Sequence, residues 1–415
     1  MEASDLRTDV TELLERLSRL GKDPEGGVTR LLYDPAWKKA QQLVAAEMCD
    51  AGLEVTIDEV GNVYGKLAGT DEAAPSILTG SHIDTVRSGG HYDGALGIAA
   101  GIAALSQLKG KHGIPRRSLE VVSLCEEEGS RFPLAYWGSG NVTGSKDFEG
   151  ALDARDSEGI TLREAMFDAG FDPESNQQSR RRDIGAFVEL HIEQGEVLQR
   201  GRYDIGIVSA IFGQRRYFAE VLGRSGHAGT TPMNIREDAL AASAEMMVWM
   251  RRAAKETGNG LVATVGKVDV MPNSANVIPG KVRFTLDIRH SDEAALDGFC
   301  ELMVKAFSLI AKEMGVSVAL DCWLSELPTP MNAELGEAIS RVCDRKGLSK
   351  LPISSGAGHD AGLFASICPT AMIFVPSKDG HSHSPEEYTS PAEVARGTEV
   401  LTELLHTLAY GEEAK

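Results

Sequence analysis

Ser76-Ile77-Leu78-Thr79-Gly80-Ser81-His82-Ile83-Asp84-Thr85 leads into Gly89-Gly90-His91-Tyr92-Asp93-Gly94 and then into an alanine-rich stretch beginning at Ala95. Ser76 to Thr79 reads as a strand, Ala95 to Leu108 as a helix and Leu119 to Leu124 as a second strand. Strands that alternate with helices define a layered α/β domain. The loop between this strand and helix carries an imidazole and two carboxylates amid glycines. A strand that empties polar, metal-competent side chains into such a loop makes a site and not a core.

Upstream, Trp37 to Ala51 has helical character, and Val55 to Val60 with Asn62 to Leu67 form a strand pair broken at Gly61. Downstream, the stretch from about 212 to 329 has its own pattern. Tyr217, Ala219 and Val221 alternate as in a strand, a helix follows at about 236–256, and a strand at 261–270. Val282, Phe284, Leu286 and Ile288 then alternate with Arg283, Thr285, Asp287 and Arg289, the period of a half-buried strand. A second helix starts near Ser291 with the stripe Leu296, Phe299, Met303, Phe307 and Ile310, and Val316 to Cys322 completes a βαββαβ order. We expect an α/β protein with a mixed-sheet catalytic domain of residues 1–211 and 330–415. A ferredoxin-like lid and dimerisation domain of residues 212–329 is inserted into it. After Pro328-Thr329-Pro330 a buried strand at Ala371 to Val375 and a closing helix from Pro391 to Leu408 resume the first pattern.

At 415 residues the chain has room for two or three domains of roughly 150 residues. Its 42% hydrophobic and 25% charged residues are those of a water-soluble globular protein. A net charge of −19 speaks against nucleic-acid and anionic-membrane partners, which need clustered Lys and Arg. Arg180-Arg181-Arg182, the one basic run, reads as a solvated loop. No apolar run approaches a membrane span, and Met1-Glu2-Ala3-Ser4-Asp5 lacks the start of a signal peptide, so a cytoplasmic location is expected. Six scattered cysteines without a C-x-x-C pair suggest reduced, mostly buried thiols.

Three more segments share the character of the first. Cys125-Glu126-Glu127-Glu128-Gly129 closes an apolar strand, His191 ends the strand Ala186-Phe187-Val188-Glu189-Leu190 before Glu193-Gln194-Gly195, and His383 lies in Asp379-Gly380-His381-Ser382-His383-Ser384-Pro385. A hydrolase using two divalent ions needs one carboxylate between them, with neutral imidazoles and further carboxylates to complete each shell. His82 and Asp93 supply an imidazole and a candidate bridge, and Asp84 is spaced to orient that imidazole. Among adjacent carboxylates one ligates while its neighbour takes a proton from water, but adjacency alone does not say which glutamate does which.

These residues resemble a known family. The quoted loops, Glu127-Glu128-Gly129-Ser130-Arg131-Phe132, Gly213-Gln214-Arg215-Arg216, His227-Ala228-Gly229-Thr230-Thr231-Pro232-Met233, Asn273 with Asn276-Val277-Ile278-Pro279, and Ser382-His383-Ser384-Pro385 are similar to the ureido-hydrolase branch of the M20 metallopeptidase-like amidohydrolases. The resemblance spans essentially the whole chain in the right order. It implies two divalent metals per subunit, with Asp93 as bridge, His82 and His191 on one ion, and Glu128 and His383 on the other. It makes Glu127 the general base and leaves Glu126 an extra carboxylate. It assigns Gln194, His227, Asn276 and Arg289 to substrate, with Gly358 and His359 in a glycine-rich loop at the same cleft. His359 is either a substrate contact or a turn stabiliser. Arg289 suits a carboxylate grip, the alternative being a salt bridge to Asp287 or Asp292. His227 acts, in the family, in the neighbouring subunit's site, where it steadies an oxyanion, so a homodimer is implied. With metal ligands on one domain and these grips on the other, domain closure is expected.

The implied reaction is cleavage of the C–N bond of a ureido group on a small carboxylate. The flanks Glu126 to Pro133, Tyr136-Trp137-Gly138-Ser139 and Gln214-Arg215-Arg216-Tyr217 resemble allantoate amidohydrolases more than carbamoylases. Allantoate, giving ureidoglycine, ammonia and carbon dioxide, is therefore placed first. N-carbamoyl-L-amino acids and β-ureidopropionate follow, and an M20 aminoacylase or dipeptidase activity is more remote. The His and carboxylate ligands suit Mn²⁺, Zn²⁺, Co²⁺ or Ni²⁺, and the resemblance favours Mn²⁺.

Overall fold

The computed structural model describes residues 3–24, 26–175 and 180–411. The start, Met1-Glu2, on which the expected compartment partly rested, lies outside the described residues. No helix among them is long and apolar enough to cross a membrane.

The chain divides into two compact units: one of residues up to Ser209, Met331–Ile353 and Gly358 onward, the other of Ala210–Pro330 with Ser354–Ala357. The sequence pattern places all of residues 330–415 in the first unit. Residues 354–357 belong to the second because Ser355 O accepts the N–H of Phe212 at 2.9 Å and Gly356 O accepts Arg289 Nη1 at 2.8 Å.

The first unit is built on a mixed sheet whose strands run in the order Glu54–Ile57, Val63–Leu67, Leu119–Leu124, Ser76–His82, Ile184–Ile192, Thr370–Val375 and Ile205–Ile211. The four strands from Leu119–Leu124 to Thr370–Val375 are mutually parallel, so their carboxyl ends share one edge. Ser76–His82 is flanked by the strand that follows it in sequence on one side and by Ile184–Ile192 on the other. The winding therefore reverses beside it, and in open α/β sheets that is where ligands bind.

Every residue of Ser76–His82 is buried, as parallel strands covered on both faces require. The strand extends three residues past its apolar part because Gly80, Ser81 and His82 pair in parallel with Val122, Ser123 and Leu124. The backbone ladder, and not side-chain hydrophobicity, carries it to His82. The helix Ala95–His112 forms the crossover and is buried nearly all round, which explains its alanine-rich composition. The closing helix Pro391–Tyr410 opens with Ser390 and Glu393 capping one another and Pro391 at its first turn, and buries Val394, Leu401 and Leu405.

The second unit is a four-stranded antiparallel sheet, ordered Ser317–Glu326, Gly213–Leu222, Lys281–His290, Val262–Met271. Helices Ala239–Thr257 and Glu293–Glu313 cover it, in the βαββαβ order read from the sequence. Val282, Phe284, Leu286 and Ile288 are at most 1% exposed and meet Leu296, Phe299, Met303 and Phe307 in one core. Each such buried side chain contributes roughly 1.5–3 kcal/mol.

Candidate metal centre

The carboxyl ends of the parallel strands deliver the side chains. His82 is the last residue of its strand, Glu126 to Glu128 follow Leu119–Leu124, and His191 lies one residue before the end of Ile184–Ile192. At Gly94 the backbone has φ +64°, and a Cβ there would sit 2.4 Å from His82 O and 2.6 Å from its ring. Only glycine lets the Asp93 loop approach the imidazole so closely.

Asp93, 6% exposed, is the centre of the arrangement. Its Oδ1 lies 3.3 Å from His82 Nε2 and 3.2 Å from His191 Nε2. Its Oδ2 lies 3.4 Å from His383 Nε2, which in turn is 3.3 Å from Glu128 Oε1. Among the described residues, His82, Asp93 and His191 form one group of metal-competent atoms and Asp93, Glu128 and His383 another, each within 4.8 Å. Asp93 belongs to both. Glu127 joins His82 and Glu128 in a third group, and Glu189, His191 and His359 make a fourth.

The donor set fits divalent cations. His191 Nδ1 faces Ile192 O at 3.0 Å and His82 Nδ1 faces Asp84 O at 3.1 Å. If these nitrogens carry the ring protons, each Nε2 lone pair is turned toward an Asp93 oxygen, a pairing that a cation between them resolves. The electrostatics point the same way. Burial alone raises the Asp93 carboxyl, but His191 and the other imidazoles hold it well below its usual range. Burial lowers His82, yet Asp84 and Asp93 outweigh it and raise this imidazole. His383 is pushed up to about 10 by Asp93 and Glu128. The cluster demands positive charge at its centre. Burial also pushes the Glu127 carboxyl well up, against the pull of His82, which suits a group that must hold a proton.

The structure separates the three adjacent glutamates. Glu126 is buried, and its carboxylate accepts the backbone N–H groups of Gly129 and of Trp137, the latter at 3.0 Å, so it is turned into the backbone. Glu127 and Glu128 both belong to the His82 group. Asp84 does more than face the imidazole. Its carboxylate lies 3.3 Å from His82 Nδ1 and accepts Glu127 N–H at 3.0 Å and Glu128 N–H at 3.2 Å.

Gln194, with φ +60°, donates through Nε2 to Asp93 Oδ2 at 2.8 Å, while its Oε1 is buried without a hydrogen-bond partner. His359 is buried edge-on against His191, with ring centroids 4.6 Å apart, and its imidazole is held well below the usual value by burial and by His191. Gly358 packs so tightly on Tyr136 that a Cβ would lie 1.9 Å from its hydroxyl.

The remaining predicted residues belong to the second unit. His227 and Asn276 come together on a short ladder in which His227 pairs with Val277 and Asn276 O accepts Ala228 N–H at 3.0 Å. Exposed His227 accepts the N–H of Gly229 and Thr230 at Nδ1, at 3.0 and 3.2 Å, so its neutral ring carries the proton on Nε2. Arg289 donates to both oxygens of Asp287, at 2.8 and 3.0 Å, and Asp287 also accepts from Arg216 at 2.9 Å. The salt bridge to Asp287, the alternative to a carboxylate grip, is therefore present.

Sequence reasoning missed several supports. Glu189 is fully buried and accepts Ser81 Oγ at 2.7 Å and Ala361 N–H at 3.0 Å. A single acid inside the apolar run Phe187 to Leu190 was the available signal. Arg30, 1% exposed, donates to Ile83 O at 2.9 Å and Leu17 O at 3.1 Å, fixing the loop after His82. Arg236 ties the His227 turn by donating to Ala228 O at 2.7 Å and Thr231 O at 3.0 Å.

A sheet with metal-competent groups at the carboxyl ends of its parallel strands and an antiparallel βαββαβ unit define the class, and the chain belongs to Peptidase family M20/M25/M40, whose profile matches residues 78–407. Among its relatives, the allantoate amidohydrolase of Bacillus subtilis (strain 168) is 46% identical over 405 residues, 98% of each chain. The N-carbamoyl-L-amino acid amidohydrolase of Geobacillus stearothermophilus is 40% identical over 96% of this chain and 98% of its own. The crystal structure of a hydantoinase/carbamoylase family amidase from Burkholderia multivorans superposes with a TM-score of 0.92 at 34% identity, covering 98% of both chains.

Proposed function

We propose that this protein is a two-metal amidohydrolase that cleaves the C–N bond of a ureido group on a small carboxylate, with allantoate as substrate. The observation that carries the hydrolase reading is Asp93, whose two oxygens face two separate sets of ligating side chains. The choice of allantoate is supported by 46% identity to an allantoate amidohydrolase over 98% of both chains. Near-full-length identity of 40% to an N-carbamoyl-L-amino acid amidohydrolase keeps that substrate class as the second reading.

His82 and His191 would hold one cation and Glu128 and His383 the other, with Asp93 shared; Mn²⁺ is our first choice. When bound, such ions lower the pKa of water toward neutrality and polarise the carbonyl under attack. Glu127 takes the proton from the attacking water and returns it to the leaving nitrogen, its place beside His82 and Glu128 putting it within the centre. The water oxygen bonds to the ureido carbon and one C–N bond breaks; the carbamate left by that step then loses its remaining C–N bond as carbon dioxide departs, so that allantoate and one water give ureidoglycine, ammonia and carbon dioxide. Gln194 Oε1 is an acceptor suited to a ureido N–H. Arg289 and Asn276 take the substrate carboxylate, with Asp287 fixing the plane of the guanidinium. His227, from the second subunit of a homodimer, donates Nε2–H to the developing oxyanion. Gly358 and His359 would complete the substrate contacts.

The deciding experiment compares ammonia release from allantoate, N-carbamoyl-L-amino acids and β-ureidopropionate by metal-loaded protein. Turnover of allantoate well above the others is expected, and no ammonia from allantoate would overturn the substrate assignment.

A further inference from the structure

Glu387 lies four residues beyond His383, is only 4% exposed, and plays no part in the mechanism above. Its Oε1 accepts the N–H of Tyr92 at 2.8 Å and of Asp93 at 3.1 Å, across 294 positions of sequence in the second case. Its Oε2 lies 3.3 Å from Ser382 Oγ, which is also 3.1 Å from Asp93 Oδ2. Gly90 makes room for this carboxylate: a Cβ there would stand 2.0 Å from Glu387 Cδ and 2.5 Å from its Cβ. One side chain thus grips the backbone of the Asp93 loop and the loop that carries His383.

We propose that Glu387 is a positioning residue for the shared carboxylate. By accepting two successive N–H groups it fixes the peptide from which Asp93 projects, and so the directions in which Oδ1 and Oδ2 face their imidazoles. Through Ser382 it holds the His383 loop against the same point. The inference rests on the metal-centre part of the function proposed above and is independent of the substrate. Removing such an outer partner typically weakens metal affinity about 10–100-fold.

The isosteric amide separates this role from a general structural one. Glu387→Gln keeps an oxygen for the Tyr92 and Asp93 N–H groups. Its NH2 donates to Ser382 Oγ, which leaves the hydroxyl proton for Asp93. Glu387→Ala removes all of this, and Gly90→Ala displaces the carboxylate without touching residue 387. The experiment is titration of the chelator-stripped full-length protein with Mn²⁺ alone, and separately Zn²⁺ alone, together with the unfolding midpoint of each metal-free variant. Glu387→Ala and Gly90→Ala should bind about 10–100-fold more weakly, with Glu387→Gln close to wild type. Wild-type affinity in Glu387→Ala, with only a lowered metal-free midpoint, overturns the proposal, as does a Glu387→Gln as weak as Glu387→Ala. A wild type that binds Mn²⁺ but leaves allantoate intact would remove the substrate assignment, and the affinities of the variants would still decide this proposal.

Discussion

Replacing Asp84 with Asn tests how the candidate base and its neighbour are held. Asp84 is 1% exposed and meets three donors: Oδ1 faces Glu127 N–H and His82 Nδ1, and Oδ2 faces Glu128 N–H. An asparagine has one acceptor oxygen. Whichever way its amide turns, an NH2 group confronts a backbone N–H, of Glu127 or of Glu128, and leaves it unpaired. A buried unpaired donor costs about 1–3 kcal/mol. If that strain moves the glutamate pair out of register, kcat falls roughly 5- to 150-fold, at 1.36 kcal/mol per tenfold. His82 should suffer less, because Nδ1 has a second acceptor in Asp84 O at 3.1 Å, closer than the carboxylate at 3.3 Å. Metal content should therefore fall less than activity. The assay pairs steady-state ammonia release with metal analysis of the same preparation. An Asp84→Asn protein with unchanged kcat refutes the argument about Glu127 and Glu128. Metal loss in step with activity would show that the carboxylate, not the carbonyl, orients His82.

Glu127→Gln should abolish turnover while retaining metal; near-normal activity sinks the base assignment. Arg289→Lys should raise KM more than it lowers kcat, since an ammonium cannot make the paired contacts of a guanidinium, and steady-state kinetics across substrate concentration would expose an unchanged KM. Asp58 titrates away from the metal cluster, with burial raising its carboxyl to about 6 from an ordinary 3.8. The folded state therefore holds this proton more tightly than the unfolded one. The resulting penalty is absent below about pH 4, grows to about pH 6 and is complete above it, at roughly 3 kcal/mol. Denaturant titrations of wild type and Asp58→Asn at pH 4.5 and 7.5 should show the variant losing that slope; parallel pH profiles would refute it. Phe307→Ala, in the core of the second unit, should cost about 3–5 kcal/mol by calorimetry or denaturant, and a loss below 1 kcal/mol would show that the cavity closes.

The strand Lys281–His290 was legible because alternation is local: one face meets helices and the other does not, and the sequence prints that difference residue by residue. The edge strand Lys350–Ser355 was not placed, because its half-buried residues carry no period. Ile205–Ile211 was missed for another reason: it is short and apolar but for Ser209, with no alternation to separate it from a buried turn or helix. At the site, the sequence marked His82, Asp93, His191 and His383 through glycines and strand ends. Its local pattern could not divide Glu126 from Glu127 and Glu128, a division that came only with the family resemblance, since neighbouring side chains on an irregular segment point where tertiary hydrogen bonds send them. Asp84 and Trp137 make that choice here.

By itself the sequence determined the layered α/β class, the inserted βαββαβ unit and the residue types of a metal centre, because periodicity, glycine placement and side-chain chemistry are properties of short segments. Only the tertiary structure decided that Asp93 turns one oxygen to His82 and His191 and the other to His383. It also decided that Asp287 already engages Arg289 and that Glu387 reaches back 294 positions to grip the Asp93 peptide. Apart from the Asp287–Arg289 pair, two residues apart on one strand, those contacts join segments distant in sequence; a buried charge is costly unless paired, and only the completed fold brings these partners within reach.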